Sequence, residues 1–127
     1  MAYSIVVLTE LLTVAETQSF MRQAESVWNE EEREAFIDYI ARNPQAGDVI
    51  PDTGGIRKVR WGRQGSGKRS GTRVIYFFYD RNAPIYLLMV YAKPARDDIS
   101  PEAKKTLREF ATRIKLANRG GTERKKR

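Results

Sequence analysis

Residues 56–93 read IRKVRWGRQGSGKRSGTRVIYFFYDRNAPIYLLMVYAK. Three runs in this stretch, 56–61 (IRKVRW), 72–79 (TRVIYFFY) and 85–93 (IYLLMVYAK), are rich in β-branched and aromatic residues, the composition of strands. Residues 80–84 (DRNAP) form a hairpin-length turn, so the second and third runs should pair antiparallel. Side chains alternate between the two faces of a strand. Lys58 and Arg60 therefore share one face of the first run, and Val59 and Trp61 take the other, the natural core side. On the second run Arg73 stands with Ile75 and Phe77; on the third, Tyr91 stands with Lys93. Convergence of these strand ends would let Lys58, Arg60, Arg73, Tyr91 and Lys93 line one concave surface. The plainer alternative is that basic strand ends keep a sheet soluble and guard its edges.

The connection 62–71 (GRQGSGKRSG) nearly spells a phosphate-binding Walker A loop, but the match fails twice. Arg69 stands where Ser or Thr must reach Mg²⁺, and the segment leads into a strand rather than the helix whose N-terminus would hold phosphate. A basic glycine loop able to follow a nucleic-acid backbone is the better functional reading.

Outward from this core, residues 3–8 (YSIVVL) read as a short strand and residues 13–28 as a helix with Val14, Met21, Ala24 and Val27 or Trp28 on its apolar side. A second helix is marked by Asn29 as N-cap with Glu32 three residues on, and Asn43-Pro44 ends it. Its stripe is Ala35, Phe36, Tyr39 and Ile40. Residues 43–55 (NPQAGDVIPDTGG) make a turn-rich link. Ser100-Pro101 caps a last helix running to about Asn118, with Ala103, Leu107, Phe110 and Ile114 packing on the sheet. Residues 119–127 (RGGTERKKR) lack apolar content and are expected to form a disordered basic tail after a single domain of residues 1–118. The order β-α-α-β-β-β-α describes an α+β domain built on an antiparallel sheet.

Composition narrows the chemistry. The 127 residues include no cysteine and no histidine, which excludes thiol nucleophiles, thiolate zinc sites and imidazole bases. What remains is Lys, Arg, Tyr, Ser/Thr and carboxylates, and the carboxylates form no metal-binding or acid/base pattern; no cofactor or metal is expected. The net charge of +7 is unevenly spread. Residues 1–50 hold nine acidic and three basic residues, whereas residues 51–127 hold 20 basic and seven acidic. From Arg57 to Arg73 there are seven basic residues and no acidic one, the electrostatic footprint of a polyanion-binding surface. No run approaches the roughly 20 apolar residues of a membrane helix, and the N-terminus lacks the basic start and cleavage site of a signal peptide; a cytoplasmic protein without membrane contact is expected.

Several segments together resemble the HigB branch of the RelE/ParE toxins of bacterial type II toxin–antitoxin systems. They are Asn43-Pro44, Gly47-Asp48-Val49-Ile50, Thr53-Gly54-Gly55-Ile56-Arg57-Lys58, Gly67-Lys68-Arg69-Ser70-Gly71, Arg73-Val74-Ile75-Tyr76 and Tyr91-x-Lys93. The likeness covers roughly residues 30–115. It implies a RelE-like sheet with two N-terminal helices packed on it and a C-terminal helix, and a ribosome-dependent endoribonuclease, an mRNA interferase that inhibits translation. It also implies a cognate helix-turn-helix antitoxin as partner, with operator DNA reached only through the toxin–antitoxin complex. The family's catalytic cations carry over to Lys58, Arg60 and Arg73, followed by Lys93, with all of the first three expected to face solvent and RNA. Arg57, Arg63, Lys68, Arg69 and Tyr91 are the candidate RNA-binding residues. Some members use a Tyr or His near the C-terminus as a base; this chain has no His and no Tyr after Tyr91, so that role stays open.

Cleavage by an adjacent 2′-hydroxyl needs that hydroxyl deprotonated, the phosphorane charge neutralised and the leaving 5′-oxygen protonated. Arg and Lys serve the second need directly and require no metal, and a Lys within such a group can also transfer protons. Two other functions fit the same composition: gyrase inhibition as in ParE-like members, and a non-catalytic basic nucleic-acid-binding module.

Overall fold

The computed structural model describes residues 12–62, 71–92 and 99–125, with side chains to Arg119. The expected strand at 3–8 lies outside them. Among the described residues the element order is β1 (Val14–Glu16), α1 (Gln18–Val27), α2 (Glu30–Arg42), β2 (Asp48–Val49), β3 (Arg57–Trp61), β4 (Thr72–Phe78), β5 (Ile85–Ala92) and α3 (Pro101–Lys125). The strands form one sheet in the order β1-β5-β4-β3-β2. The β3–β4 and β4–β5 pairs are antiparallel, as expected; β2 adds a further antiparallel pair with β3, and β1 joins parallel to β5.

Two expectations give way to tertiary structure, and a third concerns the length of the last helix. Val14 belongs to a strand, because residues 14–16 pair with Ile85–Leu87 and the helix starts only after Thr17, whose side chain accepts from the Phe20 N–H. The link 43–55 contributes β2, two residues too short to show an alternating pattern, which pairs with Arg57 and Lys58. α3 continues to Lys125, past the expected end at Asn118. Extending an existing helix needs no new nucleus.

Each face of the sheet has its own core. On one, Phe20, Ala24, Trp28, Phe36 and Ile40 of the first two helices pack on Val59, Val74, Tyr76, Ile85, Leu87 and Val90. Trp28 stacks on Phe36 at 5.4 Å and meets Trp61 edge-on at 5.6 Å. The N-terminus of α2 carries the expected capping box, Asn29 with Glu32, and Arg33 holds Glu16 of β1 through two bonds of 2.9 and 3.0 Å. On the other face Leu107 and Ala111 of α3 cover Ile50, Ile56, Ile75, Phe77 and Leu88. A register shift in the β4–β5 ladder leaves Leu88 without a partner, Ile75 facing Met89 and Tyr76 facing Leu87. That bulge turns Leu88 and Met89 to the same side, toward α3.

Candidate nucleic-acid interface

Register decides which of the candidate residues meet. Arg60 lies opposite Arg73, and Arg73 opposite Tyr91; directly opposed residues project to the same face. A row Arg60–Arg73–Tyr91 thus crosses three adjacent strands. Lys58 stands one step inward on that face, opposite Ile75 on one side and Asp48 on the other. The row lies at the end of the sheet away from the β4–β5 turn, whereas Phe110 of α3 packs toward that turn, 5.4 Å from Tyr86 and 6.5 Å from Phe77.

The members of the row differ in access. Arg60 is exposed, and Lys58 and Tyr91 are half-buried. Arg73 is only 3% exposed and Nη1 donates to the Gly71 carbonyl oxygen at 3.0 Å, which corrects the expectation that it faces solvent. Its neighbours are the reason: β4 is the central strand, flanked by β3 and β5, and its first six residues are all buried.

Arg57 does not join the row. It projects to the α1/α2 side, where Nη1 donates to the Gly47 carbonyl oxygen at 2.6 Å. Lys93, Arg63, Lys68 and Arg69 lie outside the described residues.

A brace behind Lys58 escaped the sequence reading. The buried Tyr76 hydroxyl donates to the Pro44 carbonyl oxygen at 2.9 Å and accepts from the Gly47 N–H at 2.8 Å. Burial pushes the Tyr76 phenol above its ordinary range, with the Gly47 bond acting in the opposite direction. Gly47 is there because nothing larger fits: a Cβ would stand 2.7 Å from the Lys58 carbonyl oxygen. The sequence signal was a lone Gly beside a short strand, which marks a close backbone approach only once the partner strand is known.

A second brace is the turn after β2. Thr53, fully buried, donates from Oγ1 to the Ile50 carbonyl oxygen at 2.6 Å and accepts from the Ile56 N–H at 3.1 Å. Asp52, Gly54 and Gly55 take positive φ angles of 64°, 77° and 114°, a sequence of conformations that suits glycine and disfavours most side chains. The turn delivers Arg57–Trp61 in register and so sets which residues reach the basic face.

No described helix is long and apolar enough to cross a membrane. The family model for the RelE toxin of the RelE/RelB toxin–antitoxin system matches residues 13–124, a span that takes in every element from β1 through nearly all of α3. With the helix pair, the sheet and the basic row inside the matched span, the chain belongs to the RelE toxin family, the toxins of toxin–antitoxin systems, whose partner is an antitoxin.

Proposed function

We propose that this toxin is a ribosome-dependent mRNA endoribonuclease of the HigB branch, acting in the cytoplasm and held inactive by a cognate helix-turn-helix antitoxin through which it reaches operator DNA. The observation that carries the reading is the row Arg60–Arg73–Tyr91 with Lys58 beside it, cations and a phenol on one face at the end of the sheet. A gyrase inhibitor needs no such convergence.

In the reaction the RNA 2′-oxygen bonds to the adjacent phosphorus while the bond to the 5′-oxygen breaks, leaving a 2′,3′-cyclic phosphate and a 5′-hydroxyl. Arg60, the exposed member, contacts the scissile phosphate and offsets the charge that accumulates on its non-bridging oxygens. Electrostatic stabilisation of this kind is commonly the largest catalytic contribution. Lys58 is the proton-transfer group, and Tyr91 stacks on or orients the nucleotide. Arg73 acts from beneath: it ties Gly71 in place and adds fixed charge under Arg60. Lys93 is a further catalytic cation in this scheme, and Arg63, Lys68 and Arg69 grip ribosomal or messenger RNA phosphates.

The test is to add the protein to a translating extract and map mRNA 5′ ends. New ends within codons, absent when translation is blocked, support the reading. Intact messages accompanied by loss of gyrase supercoiling activity, or intact messages with RNA binding alone, refute it.

A further inference from the structure

Between α3 and the β2–β3 turn lies an open cavity of about 570 Å³, lined by Ile99, Pro101, Lys104 and Arg108 together with Asp52 of that turn. Arg108 Nη1 donates to the Asp52 carbonyl oxygen at 2.7 Å, which fixes the guanidinium at the cavity wall. Lys104 lies one helical turn earlier, so the two cations overlie one another on the β3 side of α3. The direction of α3 places them relative to the row. Phe110 packs on Phe77 and Tyr86, and Leu107 belongs to the core formed with Ile56 and Ile75. From Phe110 back to Pro101 the helix covers about 13 Å, and from Phe77 to Arg73 the strand covers about the same distance. The start of α3 is therefore level with Arg60, Arg73 and Tyr91, and Lys104 with Lys58.

We propose that this cavity is a second phosphate subsite, in which Lys104 and Arg108 hold an RNA backbone phosphate next to the scissile one. The proposal rests on the reading of the row as an RNA site and extends it onto α3. Asp52 brings an opposing charge to the cavity wall. That gives the proposal two consequences of opposite sign. Removing Lys104 weakens RNA binding, and neutralising Asp52 strengthens it. Asp52→Asn is structurally mild, since Asn is among the side chains that best tolerate the φ of 64° found there.

The probe is a single-stranded RNA dodecamer with 2′-O-methyl sugars, which cannot be cleaved by its own 2′-oxygen, bound at a series of salt concentrations. Lys104→Ala should reduce the salt slope by about 0.7, the loss of one phosphate contact on a single strand, while melting at the wild-type temperature. Asp52→Asn should bind more tightly, most clearly at low salt. An unchanged slope in Lys104→Ala, or no gain in Asp52→Asn, overturns the subsite, as does failure of the wild type to bind the dodecamer. A wild type that shows both binding effects yet cuts no message in the translating extract refutes the nuclease reading and leaves the subsite standing.

Discussion

Along β3, two sets of side chains one residue apart live in different worlds. Toward α1 and α2, Val59 is buried and Trp61 sits among Trp28, Phe36 and Tyr39 at ring separations of 5.4 to 6.5 Å. Toward the other face, Lys58 is half-buried and Arg60 exposed. The inner set makes the fold and the outer set carries the proposed chemistry, and only the pleat of the strand separates them. Damage to each should therefore be distinguishable: the inner set should cost stability, the outer set activity.

The largest effect is expected on the inner side. Phe36 is fully buried between Trp28 and Trp61, and Phe36→Ala should lower unfolding free energy by about 3–5 kcal/mol, read from urea denaturation. A loss below about 1 kcal/mol would mean that the helices contribute little to holding the sheet.

Next comes the outer side. Arg60→Ala should slow message cleavage by about two to three orders of magnitude and leave the denaturation midpoint near wild type. Arg73→Ala sharpens the comparison, because its burial and its bond to Gly71 give it a foot in both worlds: cleavage and stability should fall together.

Gly47→Ala probes the boundary itself. The new methyl would press on the Lys58 backbone from 2.7 Å, and such overpacking typically costs about 1–3 kcal/mol. Because the strain lands on β3 at Lys58, cleavage at saturating protein should also drop, unlike in a simple core variant.

Tyr76→Phe is the smallest change. It strips the Pro44 carbonyl and the Gly47 N–H of a partner, for about 1–3 kcal/mol. The phenol's raised pKa also gives the fold a pH signature. A proton held more tightly in the folded than in the unfolded chain adds stability that is complete below about pH 10, the ordinary tyrosine value, and is lost as pH rises beyond it. Alkaline unfolding of Tyr76→Phe should accordingly be shallower than that of the wild type.

How much of this was legible in the sequence follows from the range of each interaction. The three strands, the capping box at Asn29 and the parity that separates Lys58 and Arg60 from Val59 and Trp61 are local, and the structure has them within one residue or two. β1 was not legible as a strand: the helical spacing of Val14 with Met21 concealed a pairing with residues 85–87, some 70 positions away. Parity put Arg73 on the right face but said nothing of depth, which comes from β4 lying between β3 and β5. Parity likewise kept Arg57 off the face of Lys58 and Arg60, and its bond to Gly47 lies on the opposite side of the strand. The Lys104 and Arg108 cavity was invisible, since it forms only where α3 passes the β2–β3 turn.

The most direct measurement compares two arginines of the same strand. On ribosomes programmed with one message, with toxin at saturation, cleavage rate is determined alongside melting for Arg60→Ala and Arg57→Ala. The account predicts that Arg60→Ala melts like the wild type but cleaves about two to three orders of magnitude more slowly, whereas Arg57→Ala, deprived of its bond to Gly47, melts lower and keeps most of the rate. Wild-type cleavage by Arg60→Ala, or an equal rate defect in both variants, would contradict it.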